Sequence, residues 1–160
     1  DDGEEKLIGC AKTIWAVLDL NSREIVNVFD LPMFENSVDG EVLTMARAPK
    51  MQALHLGNLE NGAVILKADE ILHEIQYSDM DYNRHCNSCK YLEWMVNASP
   101  FTDNTRPFRL DINYVKELYE NDVMYTRFVK TSESTQYQQV DEKGTTCCSA
   151  KISLIEKLSC

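Results

Sequence analysis

No stretch of the chain approaches the roughly 18 consecutive apolar residues that a membrane helix needs, so the sequence reads as that of a soluble protein. A basic stripe is missing too. The formal net charge is −10, and holding a phosphate backbone depends on clustered lysine and arginine, so nucleic acid is set aside as a partner. There is no glycine-rich phosphate loop. The histidines, His55, His73 and His85, are far apart and none has a serine or cysteine beside it in a recognisable elbow, so no nucleophilic triad is legible. No catalytic residue, metal or cofactor is therefore expected. No repeat or linker interrupts the 160 residues, a length that suits one domain over 1–160 with its own core.

What the chain does have is cysteine: Cys10, Cys86, Cys89, Cys147, Cys148 and Cys160. An even count with a vicinal pair suits an oxidising compartment better than the cytosol. The chain opens Asp1-Asp2-Gly3-Glu4-Glu5 with no apolar run behind it, as a secreted protein would after signal-peptide removal. A secreted, extracellular protein is expected, its acidic surface serving solubility.

From Glu4 to Leu20 the residues Leu7, Ile8, Ala11, Ile14, Trp15 and Leu18 fall at helical spacing and predict an amphipathic helix. Asn21-Ser22 breaks it, and Ile25 to Leu31 reads as a short β run stopped at Pro32. Short apolar segments follow at Val42 to Ala46, Met51 to Leu56, Ala63 to Ala68 and Ile71 to Tyr77. Asn61-Gly62 is the best hairpin signal among their breaks. A second set lies at Tyr91 to Val96, Phe108 to Tyr114 and Val123 to Val129, with Val115 to Tyr119 open to a helical turn. The polar stretch Thr131 to Lys143 reads as a loop or frayed edge strand. Ile152, Ile155 and Leu158 have the spacing of a short final helix. Together these predict a mostly β meander, barrel or sandwich.

Cys86-Asn87-Ser88-Cys89 has the spacing used by zinc ligands and redox dithiols, but no second pair at comparable spacing supports zinc, and the pair precedes a strand-like run. Structural disulfides are the favoured reading. Adjacent cysteines rarely bond each other, so Cys147 and Cys148 are expected to clamp two parts of the chain, the amino-terminal helix through Cys10 and the Cys86 to Cys89 region. The carboxylates Glu70, Glu74, Asp79 and Asp81 are read as solvated surface. Asn97-Ala98-Ser99 is a glycosylation acceptor at a strand end. In Tyr91 to Val96, alternation sets Leu92, Trp94 and Val96 on one face, and Trp94 is either ordinary core or one wall of a cavity that, with a nearby acid, holds a cationic or amphipathic small molecule.

The segments Ile14 to Leu18, Glu24 to Phe29, Cys86 to Trp94 and Cys147 to Cys160 together resemble the salivary lipocalins of ticks. That resemblance implies an eight-stranded antiparallel barrel with amino- and carboxy-terminal helices, disulfide-stapled, around a small ligand. The family's amine-binding pattern is departed from at Cys89-Lys90-Tyr91 and Leu92-Glu93-Trp94, so only Glu93 and Trp94 carry over. With no cysteine between Cys10 and Cys86, Cys160 would pair with Cys86 or Cys89.

On this reading the chain is a monomeric secreted binding protein, not an enzyme. It would sequester a small amphipathic host mediator, a lipid or biogenic amine, in a pocket lined by Phe29, Leu54, Leu56, Ile75, Tyr77, Glu93, Trp94, Phe108, Leu110 and Tyr125. Two competitors stand beside it. One is a decoy that blocks a host immune or haemostatic protein through its loops. The other is an enzyme using Cys86 or Cys89, which requires a free thiol of low pKa.

Overall fold

The computed structural model describes residues 8–22, 24–32, 46–52, 54, 71–99 and 106–156. The chain divides into two compact units, Asp1–Arg47 with Leu158–Cys160, and Ala48–Lys157.

In the first unit β1 (Val17–Leu18) pairs antiparallel with β2 (Ile25–Val26). The turn between them is set by Asp19, whose carboxylate accepts the N–H groups of Ser22 at 2.8 Å and Asn21 at 2.9 Å. Those amides, Ser22 first, hold its pKa below the ordinary aspartate value. A 3-10 turn, Val28–Asp30, follows. The helix predicted over 4–20 is thus corrected: residues 8–22 contain none, and Trp15 is 83% exposed. Helical spacing without a surface that covers the apolar stripe does not hold a helix. Cys10 is disulfide-bonded.

Among its described residues the second unit is an antiparallel sheet packed on an α-helix. Its strands are β3 (Ile71–Glu74), β4 (Phe108–Tyr114), β5 (Val123–Lys130), β6 (Ser134–Asp141) and β7 (Thr146–Leu154), in the order β3-β5-β6-β7-β4. The helix, α1 (Ser88–Ala98), precedes β4 in the chain. Register places Phe128 opposite Tyr137, Tyr137 opposite Ala150 and Thr135 opposite Ile152, so these side chains share the inner face. Against that face α1 sets Tyr91, Trp94 and Met95, the i, i+3, i+4 pattern of an amphipathic helix.

Several expectations are corrected here. The strand predicted at Tyr91 to Val96 is α1. The stretch Thr131 to Lys143, predicted as a loop or frayed edge strand, contains β6, which is bonded on both sides in the middle of the sheet. Three of its buried polar side chains donate to partners inside the fold. The Gln139 amide donates to the Tyr91 carbonyl at 2.9 Å, the Tyr137 hydroxyl to the Ser99 carbonyl at 2.8 Å, and the Gln138 amide to Thr146 Oγ1 at 2.8 Å. The final helix around Ile152 and Ile155 is β7 and the turn after it, while Leu158 lies outside the described residues.

The closed eight-stranded barrel is corrected as well. Among the described residues the sheet is open, with β3 and β4 as free edges and α1 as the one α-helix. Residues of α1 pack in the core on one face of that sheet. The predicted segment Val42 to Ala46 up to its last residue, the segment Ala63 to Ala68, the turn Asn61-Gly62, Leu56 and Cys160 lie outside the described residues. Among the described residues no helix is long and apolar enough to cross a membrane.

Candidate active site

Between β3 and α1 the chain makes a compact loop. A 3-10 turn, Tyr77–Asp79, leads in, and the loop is closed by an isolated bridge between Met80 and Cys86. Asp81 organises what lies between. Its N–H donates to the His85 carbonyl at 2.8 Å, and its carboxylate accepts the N–H groups of Asn83 at 2.8 Å and His85 at 3.1 Å. The backbone reverses at Arg84, whose φ of 62° lies in the left-handed region that side chains other than glycine enter at a cost. Asn87 then caps α1, its side-chain oxygen accepting the Cys89 N–H at 2.9 Å. The sequence thus places His85 directly before a helix amino terminus, where partial positive charge gathers.

A second segment meets this loop. The N–H groups of Val115 and Lys116 donate to the Cys147 carbonyl of β7 at 2.8 and 3.0 Å, and the Leu118 carbonyl accepts the Cys86 N–H at 2.8 Å. Glu117, held between these anchors, brings Oε1 to 3.6 Å from His85 Nδ1. The Tyr119 ring packs edge-on against the imidazole, with centroids 5.3 Å apart. The adjacent Lys116 is drawn the other way, to Asp141 Oδ2 at 2.7 Å. That contact and the loop amides hold the Asp141 pKa down at about 2.

An imidazole beside a carboxylate, partly open to solvent, can accept a proton from water at the ring nitrogen that does not face the carboxylate. The loop's other candidate chemistry is weak. Burial pushes the Cys86 thiol up to about 12, and Cys147 and Cys148 to about 11 and about 12. Thiols that stay protonated are poor nucleophiles. Among the described residues no group of three or more His, Cys, Asp or Glu side chains converges as a metal ion would need.

The residues singled out from the sequence are scattered. Trp94 is core, stacked on His73 with centroids 5.0 Å apart. Ile75 is fully buried at the end of β3, and Leu110 packs on the edge of the same core. Tyr77 and Phe108 face outward. Tyr125 and Leu54 are half-buried, the N–H of Leu54 donating to Gln138 Oε1 at 3.2 Å. Glu93 pairs with Lys90, 3.0 Å away on the same helix. The side chain of Phe29 and all of Leu56 fall outside the described residues. Asn97 is exposed on the last turn of α1.

The predicted disulfides of Cys86, Cys89, Cys147 and Cys148 are corrected, since all four are free thiols. The inference from an even cysteine count to an oxidising compartment loses its main support with them. Asp79, read as solvated, is buried with Lys90 3.6 Å away. The site residues missed from the sequence are Asp81, His85 and Glu117. The available signal was the run of Asp81, Asn83 and His85 at alternate positions ahead of the cap residue Asn87.

An antiparallel sheet packed on a helix in this way is the hotdog arrangement of solved thioesterase structures. An acyl-ACP thioesterase from Bacteroides thetaiotaomicron superposes with a TM-score of 0.55 at 19% identity, over 86% of this chain and 53% of that one. A protein from Lactobacillus plantarum described as an oleoyl thioesterase gives a TM-score of 0.54 at 18% identity, over 89% of this chain and 54% of its own. These are likenesses of fold, and the chain spans about half the length of either structure. No curated protein matches the chain by sequence. The model of the acyl-ACP thioesterase C-terminal domain matches residues 62–156, more than half of the chain, and the chain belongs to that family.

The family overturns the lipocalin resemblance. With it go the secreted scavenger of a lipid mediator or amine, the decoy for a host protein, and the expectation of a protein without enzymatic chemistry.

Proposed function

We propose that this chain contributes the hydrolytic site of an acyl-ACP thioesterase, which cleaves the thioester between a fatty acyl chain and its acyl carrier protein. The observation that carries the reading is the His85–Glu117 pair, 3.6 Å apart, on a loop that ends at the amino terminus of α1. Family membership supports the substrate class.

Glu117 Oε1 faces Nδ1 at 3.6 Å, which favours the tautomer with its proton on that nitrogen and leaves Nε2 to take a proton from water. The water oxygen attacks the thioester carbonyl carbon, and the carbon–oxygen double bond opens to an oxyanion. The amino end of α1 supplies fixed partial positive charge for that oxyanion. Collapse re-forms the carbonyl and breaks the carbon–sulfur bond, and the proton held on His85 passes to the departing thiolate. The products are a carboxylic acid and the free thiol of the carrier, with no covalent acyl-enzyme.

The test is release of carrier thiol from an acyl-ACP, followed with a chromogenic disulfide. His85→Gln is expected to lower kcat by about 10²- to 10⁴-fold, the range of a general base. A His85→Gln protein that turns over at the wild-type rate would remove the proposal.

A further inference from the structure

We infer that Tyr119 is a positioning residue of this site, fixing the Glu117 carboxylate and the His85 ring in one arrangement; only the kinetic arm of its test rests on the thioesterase reading.

The Tyr119 hydroxyl donates to Glu117 Oε2 at 3.1 Å, while the other oxygen, Oε1, faces His85 Nδ1 at 3.6 Å. The same aromatic ring meets the imidazole edge-on, at 5.3 Å and 86°. One side chain therefore touches both members of the pair without standing between them. Its backbone is built to stay put. The Tyr119 N–H donates to Asp122 Oδ2 at 2.9 Å, and the Asp122 N–H returns to the Tyr119 carbonyl at 3.1 Å. Asn121 closes this turn in the left-handed region, at a φ of 68°. The turn is tied to the end of β3 by Asn121 N–H to Ile75 carbonyl and Ile75 N–H to Asp122 carbonyl, both 2.9 Å.

Glu117 needs such a hold. Its side chain is 51% exposed, and a long carboxylate at the surface otherwise samples many rotamers. The charged neighbours do not supply the hold. Lys116 is engaged by Asp141, Asp81 accepts the loop amides, and Glu120 and Asp122 on the turn carry like charge. Tyr119 and His85 are the side chains that grip the carboxylate. Removing the phenol frees the carboxylate to sample other rotamers, so it faces the imidazole less of the time.

The experiment compares the full chain with Tyr119→Phe and Tyr119→Leu, alone and with Glu117→Gln, by steady-state kinetics and by NMR titration of the histidine ring protons. The His85 signal is assigned by its loss in His85→Gln. Tyr119→Phe is expected to lower kcat about three- to tenfold, the loss of one hydrogen bond, with KM little changed. With the carboxylate facing the imidazolium less of the time, the acid limb of the pH–rate profile and the His85 titration midpoint both move to lower pH. Tyr119→Leu, which also removes the ring, has the larger effect, and in the Glu117→Gln background Tyr119→Phe moves the His85 midpoint no further. An unchanged His85 midpoint in Tyr119→Phe overturns the inference, even if Glu117→Gln and His85→Gln abolish hydrolysis and the proposed function stands. Should the wild-type chain hydrolyse no acyl thioester, the functional reading fails, and a shifted midpoint still supports the positioning role.

Discussion

Replacing Glu117 by glutamine removes one charge from the site and almost nothing else. The amide keeps the length and volume of the carboxylate, and its oxygen still accepts from the Tyr119 hydroxyl. What is lost is the attraction between a carboxylate and the imidazolium that forms when His85 takes a proton from water. For unit charges 3.6 Å apart that attraction is about 1 kcal/mol at the dielectric of water and about 5 kcal/mol at an effective value of 20. The His85 side chain is 25% exposed and that of Glu117 51%, so solvent screening places the loss in the lower part of this interval, about 1 to 3 kcal/mol. Such a loss slows turnover by about 5- to 150-fold. The effect should fall on kcat, because the imidazolium exists only once the proton has moved.

The measurement is carrier-thiol release at saturating acyl-ACP across a pH series, beside a thermal melt of each protein. Glu117→Gln should melt close to the wild type, since an exposed ion pair contributes little to stability. Combined with His85→Gln it should cost little more than His85→Gln alone, because the carboxylate acts through the imidazole. A folded Glu117→Gln protein with kcat within twofold of wild type at every pH would refute the assignment of Glu117 as the orienting group. Full additivity of the two substitutions would refute the claim that they act as a unit.

Three further outcomes follow from the geometry. Asn87→Ala removes the cap on the Cys89 N–H and should cost about 1 kcal/mol, a fall of roughly 2 to 4 °C in Tm. A cap that contributes nothing would leave the melt unmoved. Asp141, held at about 2 by Lys116 first and the Thr145 amide next, against 3.8 for a free aspartate, contributes stability that is complete above its unfolded value and lost as pH falls through the folded one. Asp141→Asn should therefore lower Tm near neutral pH and flatten the Tm profile between about 4 and 2; a mutant whose melt follows the wild type at every pH refutes it. Of Cys86, Cys89, Cys147 and Cys148, only Cys89 is exposed, so alkylation of the native protein followed by peptide mapping should modify Cys89 alone among these four, and rapid labelling of Cys147 would contradict the buried β7.

The strands β4 and β5 were legible because each is a bounded run of β-branched and aromatic residues, flanked by turn signals. Segment 91–96 was not, because a six-residue apolar run fits both periods. Read by twos it groups Leu92, Trp94 and Val96; the structure buries Tyr91, Trp94 and Met95 instead. Length would have arbitrated. From Ser88 to Ala98 there is no glycine or proline, Asn87 stands at the cap position, and 11 residues make a helix of ordinary length. β6 escaped for the opposite reason. Its polar residues look like a loop, and partners supplied by tertiary packing, the Tyr91 carbonyl for Gln139, the Ser99 carbonyl for Tyr137 and Thr146 for Gln138, let them sit inside.

The site was hidden by the same kind of distance. Asp81, Asn83 and His85 sit together in the sequence, but without Glu117 they carry no recognisable chemistry. Glu117 reaches them only because the Cys86 N–H finds the Leu118 carbonyl while Val115 and Lys116 hang from Cys147. The cysteines misled for a related reason. Both are fully buried: the register shift at Gln139 and Val140, which face Cys148 and Thr146, leaves Cys147 as the extra residue of a bulge, and both cysteines join the same core cluster. A vicinal pair at a buried bulge can thus mark core packing as readily as an oxidised clamp, and burial, which the sequence does not print, decides between them. The thiol pKa values of about 11 and about 12 follow from that burial. The proposed hydrolytic chemistry is then left to the His85 imidazole and the Glu117 carboxylate, both partly exposed.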